Sequence, residues 1–219
     1  PAASPASQPR ASRRVNRLAL SLAAVAVLAL STSAYLILAS SRPVPARVSY
    51  SGRTLTAFSA AGQPLWTYEL PGTFIALDPD MPPDTQQTRI RDFDGDGQIE
   101  VLTAVSWLPS HSPQSYLDSA LFRFSADGEL LQRYSAADVL SYAGRPFGPP
   151  WSIRAVLFEQ EPDGNSSTWL ALSHHTWWPA LLVHLDAQGR ATTRFTHSGW
   201  IKGLALLPAA NGRYLLAGG

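Results

Sequence analysis

The 219-residue chain contains no cysteine, which excludes disulfides and thiolate metal sites at the outset. Lys202 is its only lysine and Met81 its only methionine, so arginine supplies nearly all of the positive charge. Charged residues make up 15% of the chain against 45% hydrophobic, the balance of a folded domain with a sparsely charged surface. A basic surplus is also missing where a nucleic-acid binder would need one. Up to Arg47 there are six arginines and no acidic residue, whereas from Val48 onward there are eleven basic and sixteen acidic residues. The two parts therefore suit different electrostatic settings. The larger one lacks the positive field that holds a phosphate backbone, so no nucleic-acid partner is expected for it.

One long apolar run is present. Leu18 to Ala39 contains no charged residue, and as a helix it spans about 33 Å, enough for a hydrocarbon core of roughly 30 Å. Arg10, Arg13, Arg14 and Arg17 stand immediately before it, and only Arg42 and Arg47 follow nearby. The excess of arginine on one side places the N-terminus in the cytoplasm and everything after Ser40 outside it, in the periplasm or the extracellular space. A cleaved signal peptide is the alternative, favoured by Ser31, Thr32, Ser33 and Ala-x-Ser spacings near Ser40. The run is longer than the roughly 7–15 residues of a signal h-region, which favours a retained single-pass anchor. Pro1 to Arg14 is rich in Ala, Ser, Pro and Arg and cannot bury a core. With no initiator Met it reads as a linker entering the membrane from a preceding cytoplasmic part, and the chain as a fragment. The expected organisation is a linker over 1–17, a transmembrane helix over 18–39, a short linker over 40–47 and a folded β domain over 48–219.

The densest chemistry lies in Asp92-Phe93-Asp94-Gly95-Asp96-Gly97-Gln98-Ile99-Glu100, which packs four carboxylates and two glycines into nine residues. Asp92, Asp94 and Asp96 converge only if the backbone wraps around something. Gly97 allows the sharp turn, and hard oxygen donors call for a hard cation, Ca2+ foremost. The start matches a helical EF-hand loop, but the twelfth position is Thr103, where that loop needs a bidentate Glu. Glu100, at the ninth position, is the substitute ligand. Val101-Leu102-Thr103-Ala104-Val105 then reads as a strand rather than a helix. The plain alternative is a solvated acidic turn, since Asp-Gly pairs are ordinary hairpin residues.

Three further segments superimpose without a gap: Leu55 to Tyr68, Leu121 to Tyr134 and Leu182 to Phe195. In each, Leu opens, Ala is sixth, Gly is eighth and an aromatic residue is fourteenth. Each reads as strand, tight turn, strand, with the glycine at a positive-φ position. Between the hairpins lie Thr88 to Arg91 and Val101 to Ser106, then Ile153 to Phe158 and Thr168 to Ser173. A further unit follows with Ile201 to Leu207 and Tyr214 to Ala217. Four short antiparallel strands recurring about every 60 residues are the sequence sign of propeller blades. The expected fold is all-β, a partial β-propeller: a half blade over 48–70, blades over 88–136 and 152–197, and a half blade over 200–219. A generic β-sandwich is the alternative.

An Asp loop between two strands, within four-stranded repeats, resembles the FG-GAP/VCBS class of integrin-like β-propellers. The resemblance covers roughly Val48 to Gly219. It implies calcium held by the side chains of Asp92, Asp94 and Asp96, the backbone carbonyl of Gln98 and the closing carboxylate of Glu100. The corresponding stretches of the later units depart from this pattern: Glu159 to Asn165 is broken by Pro162 and has fewer carboxylates, and Pro208 to Gly212 has none. Ala57 to Trp66, with Gly62-Gln63-Pro64-Leu65-Trp66, is also similar to one repeat of a quinoprotein-type propeller, which implies a Trp docked between blades.

No catalytic constellation stands out. His174 and His175, followed by Trp177 and Trp178, suggest a metal or aromatic site. However, adjacent strand residues face opposite sides, which favours packing. His111, His184 and His197 have no Ser or Asp partner at a triad spacing. The proline-bearing loops Pro71 to Gln87 and Ala137 to Trp151 are places where a rigid β scaffold carries function. The second, with Tyr142, Arg145, Phe147 and Trp151, has the composition of a binding surface. Asn165-Ser166-Ser167 is formally a glycosylation sequon. The expectation is a membrane-tethered, calcium-stabilised recognition module for a protein or carbohydrate ligand. The alternatives are the sensor part of a larger transmembrane regulator, or a propeller enzyme using Asp92 and Glu161 as acid and base.

Overall fold

The computed structural model describes residues 21–33, 35, 43–76, 87–109, 117–160, 166–174, 179–210 and 212–219. The chain divides into two units, Pro1–Arg42 and Pro43–Gly219. In the first, residues 21–33 and 35 are helical and exposed. Ser31 and Thr32 fit this apolar helix by donating their hydroxyls back to the carbonyls of Val27 and Leu28, at 2.7 and 2.8 Å. Among the described residues no helix is long and apolar enough to cross a membrane. Residues 18–20, 34 and 36–39 of the expected span, and the whole 1–17 linker, lie outside the described residues.

The second unit is all-β, with antiparallel pairing throughout. The first sheet is β1 (Arg47–Ser51), β2 (Thr54–Phe58) and β3 (Pro64–Glu69). In the second, β4 (Gly72–Ile75) and β5 (Thr88–Arg91) share one edge of β6 (Glu100–Pro109), followed by β7 (Asp118–Ser125) and β8 (Leu130–Tyr134). A small hairpin pairs β9 (Leu140–Tyr142) with β10 (Arg145–Phe147). The third sheet runs β11 (Trp151–Gln160), β12 (Ser166–His174), β13 (Ala180–Leu185) and β14 (Ala191–His197). Last comes the pair β15 (Gly203–Ala209) and β16 (Gly212–Gly218).

Three expectations need correction. The stretch expected as a half blade over 48–70 holds three strands rather than one hairpin, because Arg47–Ser51 pairs with β2. The sheet expected over 88–136 begins at Gly72 rather than at residue 88, because β4, inside the expected loop, pairs with the far end of β6. The other expected loop contains β9 and β10. These segments are short and edged by Pro, Gly or Ser, so their own sequence signal is weak and a neighbouring strand decides their state.

The three matched hairpins are alike to the level of single bonds. Leu55 lies opposite Tyr68, Leu121 opposite Tyr134 and Leu182 opposite Phe195. Gly62, Gly128 and Gly189 have φ of 78°, 88° and 74°, the left-handed region where a Cβ is penalised. Each glycine N–H donates to the carbonyl three residues back, on Ser59, Ser125 and Asp186 respectively. The side chain of that same residue accepts the N–H four residues on, from Gln63, Glu129 and Arg190.

The sheets follow one another, and strand alternation divides their apolar residues between neighbours. Leu55, Val101, Val105, Trp107, Phe122 and Phe124 form a core between the first and second sheets. Leu102, Leu121, Ile153, Leu170, Leu181 and Val183 form another between the second and third. Ala155, Ala171, Leu182 and Ile201, with Leu204 and Leu215, join the third sheet to the last pair. The inner strands of the second and third sheets, β6, β7, β12 and β13, are thus buried on both faces, while the outer strands β8 and β14 stay largely exposed. Trp66 lies between the first two sheets: its indole N–H donates to the Ala126 carbonyl at 2.9 Å, and its ring packs on Phe124 with centroids 5.2 Å apart.

Candidate functional site

The Asp loop is the connection between β5 and β6, on the side of the second sheet that faces the third. Its form follows from short carboxylates bonding nearby backbone amides. Asp92 accepts the N–H of Gly95 on Oδ1 at 2.7 Å and that of Gly97 on Oδ2 at 2.8 Å. Gly95 and Gly97 have φ of 80° and 84°, so both amides turn inward only because neither residue carries a Cβ. The Gly97 N–H foremost, with those of Gly95, Asp96 and Asp94, holds the Asp92 carboxyl below its ordinary value and outweighs partial desolvation. At the loop's end, Glu100 Oε2 accepts the N–H of Phe93 at 2.9 Å, closing the ring of backbone.

Asp92, Asp94 and Glu100 each present one carboxylate oxygen within 4.8 Å of the others. Asp96 is not in this group. Its two oxygens accept from the backbone and side-chain amides of Gln98, at 2.8 and 2.9 Å. Of the five residues read from the sequence as ligands, three carboxylates are therefore brought together, and the Asp96 side chain is engaged with Gln98.

The residue missed by the sequence reading is Arg123 on β7. Its Nε donates to Glu100 Oε1 at 2.8 Å, Nη2 bonds the same oxygen, and Nη2 also reaches Asp94 Oδ2 at 2.5 Å. The side chains of Arg123 and Glu100 are only 10% and 5% exposed, so the pair is well shielded from water and ions. Arg123 Nη1 then donates across to the Ala187 carbonyl, in the β13–β14 turn, at 3.1 Å. Two further bonds join this region to the third sheet: Ser166 N–H to the Phe93 carbonyl at 3.2 Å, and Arg91 Nη2 to the Glu159 carbonyl at 3.2 Å. The Asp loop thus fastens two sheets together as well as gathering carboxylates.

Three carboxylates are the donor set of a hard cation. Arg123 already supplies positive charge to two of them, so a divalent ion would share those oxygens with the guanidinium. The signal that could have revealed Arg123 is its position. Leu102 lies opposite Arg123 and Glu100 opposite Ser125, so Arg123 and Glu100 are diagonal neighbours on one face, within reach for long side chains.

His174 is buried against Trp151 and Phe147, with ring centroids 5.5 and 5.4 Å away, in a packing environment. His175, Trp177 and Trp178 lie outside the described residues, as do His111, Glu161 and Asn165. His184 packs on Trp169 at 4.4 Å, and His197 Nδ1 accepts the N–H of Gly199 at 3.0 Å. No family model matches the chain, and no curated protein matches it.

Proposed function

We propose that residues 48–219 belong to an integrin-like β-propeller repeat protein of the FG-GAP/VCBS type. In this reading it is held outside the cytoplasm by an anchor over 18–39 and acts as a calcium-stabilised recognition module. One observation carries the calcium assignment: Asp92, Asp94 and Glu100 converge within 4.8 Å in a loop between two strands of a repeated sheet. The recurring hairpins and the apolar cores on either side of the second sheet support the repeat architecture. The low share of charged residues suits a binding role, with a protein or carbohydrate as ligand.

Asp92, Asp94 and Glu100 would hold the ion, and it would supply charge neutralisation and a cross-link between strands. Because Arg123 shares two of these carboxylates, the affinity expected is that of an extracellular module, with Kd on the order of 10⁻⁴–10⁻³ M. The test is a thermal melt of the full chain in detergent with 10 mM CaCl2 and with excess EDTA, paired with calcium titration calorimetry. Calcium should raise Tm by mass action, and Asp92→Asn with Asp94→Asn should abolish the rise. Identical melts, with metal removal verified, would exclude the calcium reading.

A further inference from the structure

Two Asp-Gly pairs lie in the Asp loop, Asp94-Gly95 and Asp96-Gly97, and a third, Asp127-Gly128, lies in the β7–β8 turn. Such pairs carry a chemistry of their own. The glycine nitrogen can attack Cγ of the preceding aspartate, because no Cβ shields it. An N–Cγ bond forms, and the amide proton leaves with one carboxyl oxygen as water. The five-membered succinimide then takes up water again. Cleavage of the N–Cγ bond restores aspartate. Cleavage between the nitrogen and the aspartate's main-chain carbonyl gives isoaspartate, with no net change of mass or oxidation state.

Residues 94–98 are all exposed, so water reaches both pairs of the loop. Both nitrogens are held by one residue. The Gly95 and Gly97 N–H groups donate to Asp92, at 2.7 and 2.8 Å. A nitrogen so placed is committed to Asp92 rather than to its neighbour's Cγ, and giving up its proton would set an amide anion against the Asp92 carboxylate. The two electrophilic carboxyls are held unequally. Asp94 Oδ2 bonds Nη2 of Arg123 at 2.5 Å, and that arginine side chain is 10% exposed. The Asp96 oxygens accept from the backbone and side-chain amides of Gln98, two residues on and itself exposed.

We propose that Asp96 is the loop's site of isoaspartate formation and that Asp92 is the lock that sets its rate, by withholding the Gly97 nitrogen. The step opens whenever the Gly97–Asp92 bond breaks in a local fluctuation. Its consequence is lasting. Isoaspartate adds one carbon to the main chain at 96 and takes one from the side chain, so the Gly97 N–H no longer meets Asp92 at the spacing that closes the loop. The proposal goes beyond the calcium reading and does not rest on it, since it needs only the amide bonds of Asp92.

The test follows the full chain in detergent and EDTA over several weeks at 37 °C and pH 7, folded and in guanidinium chloride. Trypsin releases Asp92 to Arg123 and Phe124 to Arg133 as separate peptides, and electron-transfer fragmentation places isoaspartate at 94, 96 or 127. Asp127 is the internal reference, because the Gly128 N–H donates to the Ser125 carbonyl and not to Asp92. In the folded chain Asp96 should isomerise at least about tenfold more slowly than in denaturant. Asp92→Ala should raise the folded rate at Asp96 at least about tenfold, the change in open population when a hydrogen bond to a charged group is lost. Asp92→Asn, which keeps one acceptor oxygen, should fall between. In both variants Asp94, still held by Arg123, should lag behind Asp96, and Asp127 should be unchanged. Circular dichroism melts establish that the variants fold, and the comparison of folded with denatured wild-type chain needs no variant. Equal wild-type rates at Asp96 in the two states, no rise in Asp92→Ala, a rise at Asp127 as large as that at Asp96, or faster isomerisation at Asp94 would each overturn the proposal.

Discussion

Arg123 and Glu100 sit diagonally across β7 and β6, with Nε to Oε1 at 2.8 Å and Nη2 on the same oxygen. Glu100 also closes the Asp loop through the Phe93 N–H, and Arg123 reaches the third sheet at Ala187. One buried pair therefore links a loop, two strands and a neighbouring sheet.

Removing either partner leaves the other charge buried with less compensation, Arg123 keeping Asp94 and Glu100 keeping the Phe93 N–H. Arg123→Met and Glu100→Gln should each cost about 3–5 kcal/mol of unfolding free energy. The double variant should cost clearly less than the sum, because the second change removes the charge that the first left less compensated. Urea denaturation of the full chain in detergent measures this. Additive losses would show that the two side chains do not act as a pair.

Gly62 and Gly128 occupy the same turn position with φ of 78° and 88°, but their surroundings differ. A Cβ on Gly62 meets nothing within 4 Å, whereas one on Gly128 would lie 2.6 Å from Cγ of Trp66. Gly62→Ala should cost only the left-handed penalty, about 1–2 kcal/mol. Gly128→Ala adds displacement of the indole and strain on its bond to Ala126, at least about 1 kcal/mol more. The difference between the two denaturation midpoints reads the packing between the first two sheets. Equal midpoints would mean that Trp66 does not lie against that turn.

The Asp92 carboxyl is held below its ordinary value, chiefly by the Gly97 N–H. Asp186 is lowered too: burial pushes it up, but the backbone N–H, guanidinium and charge of Arg190 outweigh that. A group whose value is depressed on folding stabilises the fold above its unfolded value, about 3.9 for Asp. That contribution is lost as pH falls through the lowered, folded value. Stability should be level from about pH 7 to 5 with respect to these groups and fall below about pH 4, with part of the acid slope missing in Asp92→Asn. An unchanged slope in that variant would show that the Asp92 bonds to the loop amides do not form in solution.

How far the site was legible follows the range of the forces involved. The Asp loop was readable because its bonds span only two to seven residues and need glycine at fixed offsets. Even so, the sequence could not divide the four carboxylates between inward and outward roles. Asp96 turns to Gln98, two residues away, and leaves the other three to converge. Arg123 was hidden because its partner is 23 residues distant, and the pair exists only in the register that sets Leu102 against Arg123. β4 was hidden for the same reason, since a four-residue strand at a proline boundary takes its state from the far end of β6.

By itself the sequence determined that the domain is built of β-hairpins. Alternating apolar residues and a glycine at a positive-φ turn act locally, and Leu55, Leu121 and Leu182 all found the aromatic partner that their spacing predicts. The tertiary structure alone decided which face of each strand meets which neighbouring sheet, and which cation stands beside the acidic loop. Those outcomes depend on strand register and sheet order. Both are set by burying many apolar side chains at once, and no single segment encodes them.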